Sequence, residues 1–368
     1  MTERIFNFSP GPGTLPLPVL EQAQRDLVAL PEIGASPLEV SHRGAWFTEV
    51  IREAEANLRE LLAIPEHHHV LFCQGGATMQ FSMCAMNLLR GRAACADYVL
   101  TGSWGEKAIA EASKEGATRA AWSDREAGFV RVPSAEELTG ILSADAAYVH
   151  VTTNETIQGV EFPGVPTVPD GVPLVADASS DFLSRPLDVG TFGLLYAGAQ
   201  KNAGPAGATI AVIRDDLLAG VPDGLPSVLD YRTYVEHGSL YNTPSVFAIY
   251  VTMLVTRWLR EEIGGLDAMA RINASKAALL YDELDGSAGF YRGHAEPGSR
   301  SLMNVTFRLP TEDLERTFVD EAAAQGLAEL KGHRSVGGIR ASIYNAMPVD
   351  GVEALVAFMR SFRDRNAA

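Results

Sequence analysis

The chain has 368 residues, and its 46 acidic and 30 basic side chains give a formal charge of −16. At ~150 residues per domain this length predicts two domains, or one large and one small. The composition, 46% hydrophobic and 21% charged, excludes extended disorder. An isoelectric point near 4.9 leaves no basic footprint for nucleic acid.

The opening residues Met1-Thr2-Glu3-Arg4-Ile5-Phe6 show neither a basic nor an apolar leader segment, so the chain reads as cytoplasmic. Pro10-Gly11-Pro12-Gly13 predicts an irregular loop before a helix from Leu17 to Leu30. Apolar spacing at Val50, Ala54, Leu58, Leu61 and Leu62 predicts a second helix, Glu49 to Leu62, stopped by Pro65. His67-His68-His69 reads as a solvated loop rather than a metal site, because three adjacent side chains cannot all face one ion. Strand-like apolar runs follow at Val70–Cys73, Tyr98–Thr101, Ala147–Val151, Pro173–Ala176, Gly193–Ala197 and Ala208–Ile213. Helical patterns lie between several of them, at Met79–Leu89, Trp104–Lys114 and Ala135–Leu142. Near-continuous apolar strands alternating with helices predict an α/β fold, its parallel sheet covered on both faces. The close spacing of the last three strands predicts one antiparallel edge.

After Asn242-Thr243-Pro244 the pattern changes. The run Val246–Leu259 is broken by Thr252, Thr256 and Arg257, so it reads as a buried helix rather than a membrane span. Helices at Ser245–Ile263, Leu266–Asp285, Glu312–Gln325 and Val349–Arg363, with strands at Leu302–Leu309 and Ile339–Ile343, predict a smaller α+β unit. The expected division is a large domain over 16–260 and a small one over 261–368, residues 1–15 associating with the latter. Cys73, Cys84 and Cys95 are too few and too widely spaced for a disulfide framework or a metal site, and read as buried apolar thiols.

The chemistry concentrates between Pro173 and Ile213. Asp177 closes an apolar strand, the carboxyl-end position where open α/β sheets build their sites. Lys201 follows the strand Leu194-Leu195-Tyr196-Ala197 among small residues, in a chain with five lysines against twenty-five arginines. Desolvation there favours the neutral amine, which forms Schiff bases. Pyridoxal 5′-phosphate needs such a lysine and a carboxylate facing its ring nitrogen. Read singly, Asp177 is also compatible with a turn cap and Lys201 with the surface. The strand–Gly75-Gly76–helix turn offers backbone N–H groups to a phosphate, and Trp104 either stacks on a bound ring or sits in the core. Arginines and histidines gather in two glycine-bordered places, Ser41-His42-Arg43-Gly44 and Lys331-Gly332-His333-Arg334. Arg340 and Ser342 share the face of a strand opposite Ile339, Ala341 and Ile343. On so acidic a chain, local cations must reverse the field before an anionic substrate can bind.

Over essentially its whole length the chain resembles the phosphoserine aminotransferases, fold-type I enzymes among the class V aminotransferases. The motifs that carry this are Asn7-Phe8-Ser9-Pro10-Gly11-Pro12, the Ser-His-Arg-Gly turn, Asn154-Glu155-Thr156, Ala176-Asp177-Ala178-Ser179-Ser180, Tyr196-Ala197-Gly198-Ala199-Gln200-Lys201-Asn202, Tyr241-Asn242-Thr243-Pro244 and Arg340-Ala341-Ser342-Ile343-Tyr344-Asn345. The resemblance implies a mostly parallel seven-stranded sheet in the large domain, and a homodimer with shared active sites. It implies that Lys201 holds pyridoxal 5′-phosphate, Asp177 pairs with the ring nitrogen, Trp104 stacks and Thr156 bonds the phenolic oxygen. Gly76, Ala77 and Gln200 would hold the phosphate, with Asn242 and Thr243 of the neighbouring subunit. Arg340 would clamp the α-carboxylate. His42 and Arg43 of the partner chain, with His333 and Arg334, would bind the distal anion, and Ser9 joins the substrate set. The implied reaction moves an amino group between glutamate and 3-phosphohydroxypyruvate, with 3-hydroxy-4-phosphothreonine a second candidate substrate. Where many relatives carry arginine after the two glycines this chain has Ala77-Thr78, which takes away a cation near the phosphate. A cysteine desulfurase is excluded because no cysteine follows Cys95. A serine- or alanine–glyoxylate type transaminase and a non-catalytic cofactor-binding scaffold remain as alternatives.

Overall fold

The computed structural model describes residues 4–367. Seven strands form the main sheet: β1 (His68–Cys73), β2 (Ala96–Leu100), β3 (Thr118–Ser123), β4 (Val149–Thr152), β5 (Leu174–Asp177), β6 (Leu194–Gly198) and β7 (Thr209–Arg214). Their lateral order is β1-β7-β6-β5-β4-β2-β3. Strands β6, β5, β4, β2 and β3 run parallel, whereas β7 is antiparallel to both of its neighbours. The antiparallel strand is therefore second in the sheet, and the edge beyond it is β1. The close spacing of the last three strands pointed to an antiparallel edge, but it carried no information about what would pair with the other side of β7. Residues of β4, β5 and β6 are buried throughout, as expected of strands covered on both faces.

The seventh strand, β3, is the one absent from the sequence reading. None of its residues Thr-Arg-Ala-Ala-Trp-Ser is buried, three being part-exposed and three exposed, so an edge strand here lacks an apolar run. The helices α1 (Leu17–Asp26), α2 (Ala45–Leu61), α3 (Gly76–Leu88) and α4 (Ser103–Ala112) precede or connect the strands. Helix α1 is shorter than predicted, since Leu27 and Val28 continue the apolar pattern but face solvent. The predicted Ala135–Leu142 helix stops at Leu138, where Thr139 turns extended and Gly140 takes a positive φ of 80°.

Two smaller expectations are corrected. His68 and His69 belong to β1, not to a loop; they pair with Arg214 and Ile213, and buried His68 meets the Phe192 carbonyl through Nε2 at 2.9 Å. Cys95 is part-exposed in the turn before β2, whereas burial pushes the Cys73 and Cys84 thiols up to about 12.

Helix α5 (Val246–Glu261) packs on α2 through the Arg257–Glu53 ion pair and a hydrogen bond from Asn57 Nδ2 to Thr256 Oγ1. Next comes α6 (Leu266–Asp285), whose Met269 lies in the core of the main sheet and whose Ala277, Leu280 and Leu284 lie in a separate core. That second core is formed by β8 (Asn304–Arg308) and β9 (Ile339–Ser342), paired antiparallel, with α7 (Glu312–Ala324) and α8 (Val349–Asn366). Phe307, Phe318, Phe358 and Phe362 interlock there, mostly edge-on. The short strand Phe6–Asn7 pairs in parallel with Leu327–Ala328, and Phe8 is fully buried in the same core. Buried Lys276 donates to the carbonyls of Ile343, Tyr344 and Met347, which anchors the turn after β9. Among the described residues no helix is long and apolar enough to cross a membrane.

Candidate active site

Because β1 and β6 are both antiparallel to β7, the carboxyl ends of β1, β2, β4, β5 and β6 lie along one edge of the sheet. That edge gathers the Gly75-Gly76 turn, Trp104, the Asn154–Thr156 segment, Asp177 and Lys201, one from each strand end. Sites of open α/β sheets form at such an edge.

Lys201 is 8% exposed, and its Nζ donates to Thr156 Oγ1 at 2.6 Å. Burial lowers its proton affinity to about 8, against the opposing pull of Asp177 and Glu155. The indole of Trp104 has its centroid 5.8 Å from the same nitrogen. Asp177 is buried at the end of β5, and Ser179 donates to its Oδ1 from both N–H (2.9 Å) and Oγ (2.6 Å). Ser179 Oγ in turn accepts from the Gly198 N–H, so the ends of β5 and β6 are tied together behind the carboxylate. Burial raises the Asp177 pKa, while Lys201 and the two Ser179 donors lower it. A cation facing its free oxygen would hold it ionised.

Helix α3 starts with Gly75 at a φ of 87° and no side-chain cap, leaving its first N–H groups unclaimed by side chains. An added Cβ on Gly75 would stand 2.5 Å from Met79 Cβ, whereas Gly76 opens onto free space. An uncapped helix start beside a buried lysine suits the phosphate end of pyridoxal phosphate. Trp104 is part-exposed, its ring beside the Lys201 amine, which leaves an indole face open to an aromatic ligand. The residues present therefore fit this cofactor. Ala77 is part-exposed in the first turn of α3 and brings no charge, so any phosphate contact there would fall to the backbone. Gln200 is also part-exposed, and its carbonyl accepts from the Gly13 N–H at 2.8 Å.

Arg340 projects from β9, 6% exposed, with Nη1 donating to the Thr156 carbonyl at 3.3 Å and Nε unpartnered. Among the described residues it has no carboxylate partner, which leaves its guanidinium available to an anion. His333 is part-exposed and bonded to Ser335 Oγ at 2.7 Å; burial, then Arg340, Lys107 and Arg334, lower its proton affinity. Arg334 is exposed. Ser9 hydrogen-bonds within its own loop, to Asn7 Oδ1 and from the Gly11 N–H. An added Cβ on Gly11 would lie 3.6 Å from Lys201 Cγ, so this loop runs over the lysine.

The remaining predicted residues stand apart from Lys201 within one chain. His42 is part-exposed with Nε2 unpartnered, and Arg43 is exposed. Asn242 and Thr243 are exposed; the Thr243 carbonyl accepts from Gln74 Nε2 at 3.2 Å, next to the Gly75-Gly76 turn. Two residues that the sequence did not single out also belong to the site. Lys107 places Nζ 3.9 Å from the Trp104 ring centroid, one helical turn from the start of α4, a spacing visible only once that helix is oriented. Glu155, quoted only as part of a motif, is fully buried and takes the N–H groups of Trp104 and Gly105.

The sequence pattern of the aminotransferase class-V family matches residues 5–355. The chain belongs to the class-V aminotransferases. Its curated relatives include the phosphoserine aminotransferase of Rhodopirellula baltica, 52% identical over 365 residues that span 99% of this chain and 96% of the relative. Among solved structures, the phosphoserine aminotransferase of Bacillus circulans subsp. alkalophilus is 49% identical with a TM-score of 0.95, covering 99% of both chains. The phosphoserine aminotransferase of Trichomonas vaginalis with pyridoxal phosphate bound is 40% identical, TM-score 0.91, over 97% of this chain and 100% of that one.

Proposed function

We propose that the chain catalyses reversible amino transfer between L-glutamate and 3-phosphohydroxypyruvate, giving 2-oxoglutarate and O-phospho-L-serine, with pyridoxal 5′-phosphate as cofactor. The observation that carries this reading is a buried lysine and a buried carboxylate on adjacent strand ends, beneath an indole and beside a free guanidinium. When bound, the cofactor supplies a sink for the electron pair left at the substrate Cα and carries the amino group between the two half-reactions. Lys201 Nζ would hold the cofactor, and as a free amine it would take the proton from the substrate Cα. A proton affinity near 8 suits that exchange at neutral pH. Asp177 keeps the ring nitrogen protonated, and Ser179 keeps Asp177 oriented. Arg340 binds the α-carboxylate, while His333 and Arg334 receive the γ-carboxylate of glutamate or the phosphate of the phosphorylated partner.

Exposed Val28, Leu38, Val228 and Tyr241 support a homodimer in which the partner supplies His42 and Arg43 to the distal anion, and Asn242 and Thr243 to the cofactor phosphate. In this reading 16–260 is the cofactor-binding domain and 261–368, joined by 1–15, the substrate-clamping one, working in the cytoplasm. A panel of keto acids with glutamate as donor tests the assignment. Turnover is expected with 3-phosphohydroxypyruvate, and with 3-hydroxy-4-phosphothreonine when 2-oxoglutarate is the acceptor. Preference for glyoxylate, or no turnover with any member, overturns it.

A further inference from the structure

The first N–H groups of a helix need acceptors, and α4 has none of its own, because Gly102 precedes it and no side-chain cap is formed locally. Acceptors come instead from the segment after β4. Glu155 Oε2 accepts from the Trp104 N–H at 3.0 Å and Oε1 from the Gly105 N–H at 2.8 Å. Gln158 Oε1 accepts from the Ser103 N–H at 3.3 Å, and its Nε2 donates to Ser103 Oγ at 2.7 Å. A Cβ on residue 102 would stand 2.4 Å from Glu155 Cδ, so the glycine makes room for the carboxylate. The next residue, Thr156, holds Lys201 through Oγ1 and Arg340 through its carbonyl. Two consecutive residues thus connect the indole, the amine and the guanidinium.

Glu155 is also a buried charge. Among the described residues it forms no ion pair, and the charged groups acting on it are Asp177 at the end of β5 and Lys201 after β6. Arg340 on β9 and Asp181 after β5 act on Lys201 as well.

We propose that Glu155 is a positioning residue for the reaction: its carboxylate holds the start of α4, and with it Trp104, at the cofactor site, and its buried negative charge favours a cation at Lys201. The inference rests on the roles given to Lys201 and Trp104 above. Burial raises the Glu155 pKa to about 7, so above that pH the group carries its charge.

The test is a pH titration of the cofactor's visible absorption in the full-length holoenzyme, together with the circular dichroism of the same band. Glu155→Gln should lower the absorption midpoint by at least ~0.5 unit, since an anion that favours the protonated nitrogen is gone, and should shrink the dichroism. Gln158→Ala weakens the same helix start without changing charge, so its midpoint should stay at the wild-type value. Glu155→Asp keeps the charge but not the reach, so dichroism should fall while the midpoint holds; it also keeps the test alive should the amide variant not fold. The wild-type titration reports the Lys201 assignment by itself. A Glu155→Gln midpoint equal to that of an ordinary wild-type titration, or a Gln158→Ala shift as large as that of Glu155→Gln, overturns the role of Glu155 alone.

Discussion

Lys201 and Arg334 are both cations assigned to one reaction, and their surroundings differ at every point. Lys201 is 8% exposed, hydrogen-bonded to Thr156 and flanked by strands whose residues are buried. Arg334 lies exposed on a segment bordered by Gly332, Gly337 and Gly338, the last two with positive φ. In the proposed mechanism the nitrogen that exchanges protons is set in place before substrate arrives, which is how an active site avoids reorganisation during the chemical step. The distal cations are not fixed in this way. In the proposed reaction they would meet a flat γ-carboxylate in one half and a tetrahedral phosphate in the other, and a glycine-bordered loop can settle around either.

The comparison breaks most sharply at its buried end. Lys201→Ala should cut turnover by ~10³-fold or more while far-ultraviolet dichroism stays that of the wild type; retained amino transfer would remove the lysine from the mechanism. Mixed dimers come next. Lys201→Ala and Arg43→Ala chains, each inactive alone, should regain roughly a quarter of wild-type activity on random mixing, because half of the dimers carry one intact site. Demonstrated hybrids without recovery would place Arg43 outside the shared site. At the exposed end, Arg334→Ala should raise KM for the phosphorylated substrate about tenfold with a smaller change in kcat, and an unchanged KM would strip the loop of its role.

The smallest effect is one of stability. Folding lowers the Lys201 pKa to about 8, so between about 8 and the ordinary lysine value the unfolded chain holds more protons than the folded one. Stability of the cofactor-free chain should therefore rise with pH through that window, the cost of the buried charge being fully present below it. Lys201→Met should be more stable than wild type near neutral pH, with the gap closing toward pH 10 in thermal melts. A gap independent of pH would show that the amine is not desolvated.

Asp177 and Lys201 were legible because strand ends and a scarce residue type mark themselves in a single sequence. The same is true of Gly75-Gly76, where glycine announces a backbone that side chains disfavour. Edge strand β3 was hidden, since a half-solvated strand carries arginine and serine where the inner strands carry valine and leucine. The position of β7 was hidden for another reason. Its hairpin with β6 is local, but its pairing with β1 joins Thr209 to Cys73 across more than a hundred residues, and no periodicity records that. Glu155 sits in a run of residues that are all buried, Thr152 to Glu161, so neither helix nor strand period singles it out. Its meaning appears only when the start of α4 is seen to lack a cap.

The segment from Phe6 to Gly13 has a consequence for how the protein is made. Its strand is completed by Leu327–Ala328, Pro10 receives the Tyr344 hydroxyl, and Gly13 is held by the carbonyl of Gln200. This segment therefore closes over the Lys201 side chain only after residues more than three hundred positions further along have been made. A nascent chain halted before residue 327 lacks the strand that this segment pairs with, and its lysine pocket stands open along this side.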